Sequence, residues 1–314
     1  MHVFETPENP LPVDAKVHVV RTLDGMRLRV LSAPTPAGSV ARGTVVILNG
    51  RADFMERYFE TMRDLQKRGF HVVGFDWRGQ GGSQRLLKDH ARGHIRSFRQ
   101  FDEDLRAVME SLVLKICPAP YFALAHSTGG HILFRNLVDR SWFSRCVITA
   151  PLLELQFGNW PRWLAFFLSS VAIAGGVGSR FLPGYGRGPI LFKKFEGNPL
   201  TSDAKRWTRD MRTLEQHVSL AVGGPTYSWL NACMRSLKEL HGRRTRGGLQ
   251  CPVLIVLAGR ELVVDNTGAH RFARHVPGVS VVTIKNSMHE MLLESDQVRA
   301  EFFAAFDAYM VPLT

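Results

Sequence analysis

Leu124-Ala125-His126-Ser127-Thr128-Gly129-Gly130 joins a continuous apolar run, Tyr121–His126, to a helical pattern over residues 131–137. A serine at a sharp strand-to-helix turn, flanked by small residues, fits the nucleophile elbow G-x-S-x-G, here A-H-S-T-G. Small residues are needed because the chain turns tightly and strand and helix crowd each other. Ser127 is expected in a strained backbone conformation that lifts its Oγ above the sheet. The N–H of Thr128 then opens the helix and faces a developing oxyanion. Ala125 stands where the first glycine usually falls, a departure of one methyl group.

Outward from this turn the chain keeps a strand-then-helix rhythm. Residues 17–20 and 26–31 alternate as an antiparallel hairpin about Asp24-Gly25. Thr44–Leu48 reads as a buried strand, 56–68 as an amphipathic helix and 70–76 as a strand. Residues 101–114 form a periodic helix with Leu105, Val108, Met109 and Leu112 on one face, and 146–150 a further strand. After an interruption the rhythm resumes: helix at 227–240, strand at 253–257, helix at 270–275, strand at 281–285 and a closing helix at 291–309. Apolar strands alternating with amphipathic helices predict an α/β protein with a mostly parallel sheet and helices on both faces. The interruption, 151–224, has no buried strand. It holds an apolar stretch, a Gly/Pro-rich turn at 183–189 and a charged helix from about 202 to 217. The expected organisation is one core domain, 1–150 and 225–314, with a helical cap inserted at 151–224.

A nucleophilic serine needs a base, and the base needs an orienting acid. His289, in the loop between the last strand and the last helix, can reach over the sheet to Ser127. His126 adjoins the serine but is expected to point away, His131 lies on the following helix, and His270 and His275 read as a solvated helix face. The acid is expected just after the strand at 253–257. Glu261 is closer to the strand end, and Asp265 is its rival. The turn Leu48-Asn49-Gly50-Arg51-Ala52 follows the first buried strand, so the N–H of Arg51 is the expected partner of the Thr128 N–H in an oxyanion hole. Trp160, Trp163, Phe166, Phe167 and Leu168 are expected to form an apolar wall or lid face for an acyl chain, or else the core of the cap.

Composition narrows the classes. The 314 residues are 45% hydrophobic and 22% charged, as in globular rather than disordered or fibrous chains. The formal net charge of +12 favours anionic partners, nucleic acid or a membrane surface. No helix-turn-helix, zinc or RNP-type signature speaks for nucleic acid. Residues 151–250 hold fourteen Lys and Arg against six Asp and Glu, so much of the charge flanks the apolar lid, and docking to an anionic bilayer is the expectation. Cys117, Cys146, Cys233 and Cys251 form no CxxC pair, which argues against a disulfide scaffold or a zinc module. The first residues are acidic and Pro-rich, unlike a signal peptide. The apolar uncharged run between Arg162 and Arg180 has 17 residues and reads as a lid or surface helix, not a span. A cytoplasmic location with peripheral contact at the inner membrane face is expected. Asp76-Trp77-Arg78-Gly79-Gln80-Gly81-Gly82-Ser83 lacks the lysine of a phosphate loop and reads as a structural turn.

These features resemble the α/β-hydrolase fold, and within it the bacterial lysophospholipase and monoacylglycerol lipase family, over roughly residues 15–310. The resemblance is carried by NGRADFMERYFETMRDLQKRGFHVVGFDWRGQGGS (49–83), LAHSTGGHI (124–132), NPLTSD (198–203), GGPTYSWLNACMRS (223–236), LAGRELVVDN (257–266) and SMHEMLLE (287–294). Asn49, where a histidine is often found, and Glu261, where an aspartate usually sits, depart from the pattern. The resemblance implies a serine hydrolase of single-chain lipid esters with Ser127 as nucleophile, His289 as base and Glu261 as acid, needing no metal or cofactor. A short-chain carboxylesterase, a proline iminopeptidase and a silent hydrolase-fold binding protein are the alternatives. Dehalogenases and epoxide hydrolases of this fold need a carboxylate nucleophile, against which Ser127 argues.

Overall fold

The computed structural model describes residues 1–156, 161–188, 194–242, 245 and 247–310. Runs rich in Val, Ile, Leu and Ala form the parallel part of its sheet: β3 (Thr44–Leu48), β4 (His71–Phe75), β5 (Tyr121–His126), β6 (Arg145–Thr149), β7 (Val253–Ala258) and β8 (Val279–Ile284). The hairpin β1 (Lys16–Arg21) and β2 (Arg27–Ala33) joins them antiparallel. The order is β1-β2-β4-β3-β5-β6-β7-β8. Central strands are buried on both faces, whereas β1 and β8 at the edges alternate between exposed and covered positions.

Helices cover both faces: α1 (Phe59–Lys67), α2 (Arg99–Val108), α3 (Leu114–Ile116), α4 (Thr128–Leu137), α5 (Arg162–Ala174), α6 (Ala204–Gln216), α7 (Tyr227–Leu240), α8 (Asn266–His275) and α9 (Asp296–Met310). Val46, Leu48, Ala123 and Ile148 face one apolar core with α2, α4 and α7. Val45, Ile47, Leu124 and Val147 face a second with α1 and α9. This is the α/β-hydrolase architecture with inserted helical segments.

Several boundaries differ from the periodicity: α8 begins at Asn266 rather than 270, and a 3₁₀ turn, Met55–Tyr58, precedes α1. The helix expected over 101–114 begins at Arg99 and passes through a π-turn, Met109–Val113, which carries it to Ile116. The closing segment divides into a 3₁₀ turn, Met291–Leu293, and α9. Glu294 interrupts it by accepting the Met288 and Ser202 N–H groups and the Ser202 hydroxyl. And α4 begins at Thr128, not His131. Gly129 and Gly130 are poor helix formers, but a Cβ on Gly129 would stand 2.1 Å from the Leu48 carbonyl, and one on Gly130 would stand 2.3 Å from Ile148 Cγ2. The close approach of α4 to β3 and β6 requires both glycines.

The register sets the site. Leu48 pairs with Ala125, and His126 with Thr149, so the turns after β3, β5 and β6 emerge side by side at the C-terminal edge. The chain order reverses between β3 and β5, where open α/β sheets form their crevices. Between β6 and β7, α5 packs on α7, with Asn231 donating to the Ser169 and Ser170 hydroxyls. Asp203 caps α6, whose Met211 and Leu214 pack on Phe54. The segment 76–83 is a turn: Asp76 accepts the Gly82 N–H and the Arg29 guanidinium, and Ser83 donates to the Asp76 carbonyl. All four cysteines are buried and free. Among the described residues no helix is long and apolar enough to cross a membrane.

Candidate active site

Ser127 stands between β5 and α4 with φ 50° and ψ −114°, a conformation L-residues rarely hold. Surrounding bonds over-determine it. Its N–H donates to the Thr149 carbonyl, and its own carbonyl accepts the N–H groups of His131 and Leu152. Ala52, in the turn after β3, is likewise at positive φ (63°), so both turns at this edge are strained.

Three side chains then meet in line. His289 Nε2 lies 3.2 Å from Ser127 Oγ. His289 Nδ1 lies 2.8 and 3.0 Å from the two carboxylate oxygens of Glu261. Glu261 also accepts the N–H groups of Val263 and Val264. Burial raises the Glu261 pKa, but His289 and these N–H groups outweigh it, and the carboxyl falls below its ordinary value. Asp265, the rival acid, is not brought to His289. It caps α8, accepting the Thr267 N–H and hydroxyl.

Arg51 and Thr128 each supply a backbone N–H at this edge. Among the described residues neither N–H has a protein acceptor. A Cβ on Gly50, between Asn49 and Arg51, would lie 3.5 Å from Ser127 Cβ, which places that turn against the serine. An anion between two such donors gains charge-assisted hydrogen bonds without moving them.

His126 does not serve Ser127, but its ring stands edge-on to His289 with centroids 4.8 Å apart. Its Nδ1 pairs with Thr149 Oγ1 at 3.0 Å. Burial, then the charge of His289, pushes its pKa down to about 3, so it packs beside His289 as a neutral ring. His131 pairs with Ser236, while His270 and His275 are exposed.

The aromatic residues of α5 lie elsewhere than an inner wall. Trp163, Phe166, Phe167 and Leu168 are 68%, 38%, 56% and 46% exposed. Trp163 and Phe166 line a cavity of about 440 Å³ with Leu153, Met234 and Leu237, which Ser127 does not line. Trp160 falls outside the described residues.

Sequence reasoning missed a buried hub. Arg57 pairs with Asp53, with Glu290 beside His289, and through Nε with Asp210 of α6 at 2.8 Å. Asp53 in turn accepts the Gly50 N–H at 2.8 Å and the Tyr58 hydroxyl at 2.7 Å. One guanidinium thus ties the turn after β3, the His289 loop and an inserted helix. Burial pushes the Glu290 carboxyl up; for Asp53 it is outweighed by Arg57, which holds that group down. The only local signal was the i,i+4 spacing of Asp53 and Arg57. Arg57→Met strands three buried carboxylates, and a loss of about 3–5 kcal/mol is expected by denaturant titration. Arg57→Lys recovers only part of it, because one ammonium cannot fork to three partners.

Residues 39–296 match the family described as Serine aminopeptidase, S33. The chain is 33% identical over 272 residues to lysophospholipase L2 of Escherichia coli (strain K12), covering 82% of this chain and 76% of that one. It is 27% identical over 273 residues to a probable lysophospholipase L2 of Haemophilus influenzae, covering 87% and 85%. Its fold matches a soluble variant of monoglyceride lipase from Saccharomyces cerevisiae with TM-score 0.70 at 18% identity, covering 96% and 98%. The chain belongs to the serine aminopeptidase S33 family of hydrolases, as an α/β-hydrolase-fold protein related to bacterial lysophospholipase- and monoacylglycerol-lipase-like esterases.

Proposed function

We propose that the protein hydrolyses carboxylic esters of single-chain lipids, lysophospholipid or monoacylglycerol, through an acyl-enzyme on Ser127. Ser127 Oγ attacks the ester carbonyl while His289 Nε2 takes its proton. Glu261 holds the imidazole through Nδ1 and stabilises its charged form. The N–H groups of Arg51 and Thr128 receive the tetrahedral oxyanion, and His289 returns the proton to the leaving alcohol. Water, activated by the same histidine, then releases the fatty acid and restores Ser127. No step requires a metal or cofactor. The observation that carries the reading is the unbroken line of contacts Ser127–His289–Glu261 in a relative of two lysophospholipases L2.

The test is a substrate panel: p-nitrophenyl esters of rising chain length, monoacylglycerol, lysophosphatidylcholine and a prolyl-peptide amide. Turnover of the lipid esters, best with longer chains, is expected. The family description names an aminopeptidase, so turnover of the prolyl amide alone would favour that reading instead.

Residues 151–224 serve in this proposal as a cap, and α5 as its membrane-facing element. Trp163, Phe167, Leu168 and Val171 are exposed along one helix, and Arg180, Arg235 and Lys238 are exposed nearby. An apolar surface beside cations suits an anionic bilayer, where each basic residue adds about 1 kcal/mol. Binding to phosphatidylcholine vesicles is expected to rise with phosphatidylglycerol content and to drop in Trp163→Ser/Phe167→Ser. Binding indifferent to anionic lipid would contradict the assignment.

A further inference from the structure

Five arginines are buried in the described fold: Arg29, Arg57, Arg78, Arg135 and Arg299. Each faces at least two carboxylates. That is the expected treatment of a desolvated guanidinium, since an uncompensated charge in the interior is costly. Arg51 breaks the pattern. Among the described residues no carboxylate pairs with it. Its Nη2 donates to the Gly223 carbonyl at 2.7 Å, and its guanidinium carbon lies 5.2 Å from the centre of the Trp229 ring. Among the described residues its buried Nε has no partner. Burial pulls its pKa down to about 10, so it remains a cation at neutral pH with little to offset the charge. Arg85, which among the described residues also pairs with no carboxylate, is instead surrounded by the carbonyls of Gly79, Gly81, Ser219 and Ala221.

The slot around the Arg51 head is built. A Cβ on Gly93 would stand 2.6 Å from Nη2, so the guanidinium packs directly on the Gly93 backbone. Gly93 is itself fixed, donating to the Gly224 carbonyl and accepting the Thr226 N–H. The residue as a whole is half-buried, while its Nε is shut off from solvent. Its main chain, meanwhile, belongs to the turn packed against Ser127.

We propose that the Arg51 guanidinium binds the phosphate of a single-chain phospholipid whose ester carbonyl lies at Ser127. This rests on the lipid-esterase reading above and sharpens it. Monoacylglycerol and lysophospholipid share the scissile ester and differ in the phosphate on the far side of the glycerol. One residue can span that difference: its backbone N–H would receive the ester oxygen, and its head lies within one side-chain length of that N–H, a reach comparable to the glycerol spacer. Guanidinium is the side chain best matched to phosphate oxygens, and a half-buried one with an unpartnered Nε gains most from receiving them. Arg51 would therefore set substrate choice, favouring the phosphorylated lipid over the neutral one.

The experiment compares kcat/KM for lysophosphatidylglycerol and for monoacylglycerol of the same acyl chain, in wild type, Arg51→Gln and Arg51→Lys. The readout is the ratio between the two lipids, so any disturbance of the shared oxyanion turn cancels. The ratio is expected to fall at least about tenfold in Arg51→Gln, the size of a lost hydrogen bond to a charged group, and less in Arg51→Lys. On wild type, glycerol 3-phosphate is expected to inhibit p-nitrophenyl ester hydrolysis competitively where glycerol does not. A ratio unmoved in Arg51→Gln overturns the proposal. So does glycerol 3-phosphate acting no better than glycerol, a result that needs no variant to fold. Inhibition of wild type by inorganic phosphate but not by glycerol 3-phosphate would assign the slot to the free anion and overturn it too. A wild type that hydrolyses no ester would instead remove the esterase reading beneath it.

Discussion

Ser127→Ala is expected to lower kcat/KM for every hydrolysed ester by about 10⁶-fold while the protein remains folded. The change removes one oxygen from a residue that is 8% exposed, so packing barely alters. The positive φ at this position is held by the bonds of the Ser127 N–H and carbonyl, neither of which involves the side chain. What disappears is the atom 3.2 Å from His289 Nε2 that would carry the acyl group. With no nucleophile, only the two N–H donors and substrate binding remain, and these give a small residual rate. Steady-state kinetics with a thermal melt on the same sample check both halves. Activity that survives within tenfold would assign the chemistry to another group.

Glu261→Ala is expected to lower kcat by about 10⁴-fold with little change in KM, because the acid acts through the histidine and not on the substrate. Both Glu261 oxygens lie within 3.0 Å of His289 Nδ1, so removal frees the ring to adopt the wrong tautomer or to turn. Asp265→Asn is the contrast. Asp265 is engaged with Thr267 at the start of α8, so its replacement is expected to change kcat less than about twofold and to cost at most about 1 kcal/mol of stability. The opposite pattern, with Asp265→Asn the crippled variant, would exchange the roles.

The parts of this molecule that were legible in its sequence are those written locally. A strand followed by a small-residue turn and a helix placed Ser127 at the edge of a parallel sheet, and the same logic placed His289 and Glu261 on loops beyond later strands. Helix ends were less legible where tertiary contact overrides propensity. Gly129 and Gly130 lie inside α4 because β3 and β6 approach it, not because glycine favours a helix. The Arg57 hub was illegible for a similar reason. Its partners Asp210 and Glu290 are 153 and 233 residues away in sequence, and nothing near either one announces the contact. The aromatic residues of α5 show the converse limit. Composition marks them as apolar, but exposure depends on what packs against the helix, and α7 covers the Ser169 side only.

A serine-directed fluorophosphonate with mass mapping of the adduct tests the central claim most directly. A single adduct on the peptide containing Ser127, absent from Ser127→Ala and much slowed in His289→Ala, is the expected result. A folded wild type that takes up no label, or takes it up equally after Ser127→Ala, would contradict the claim.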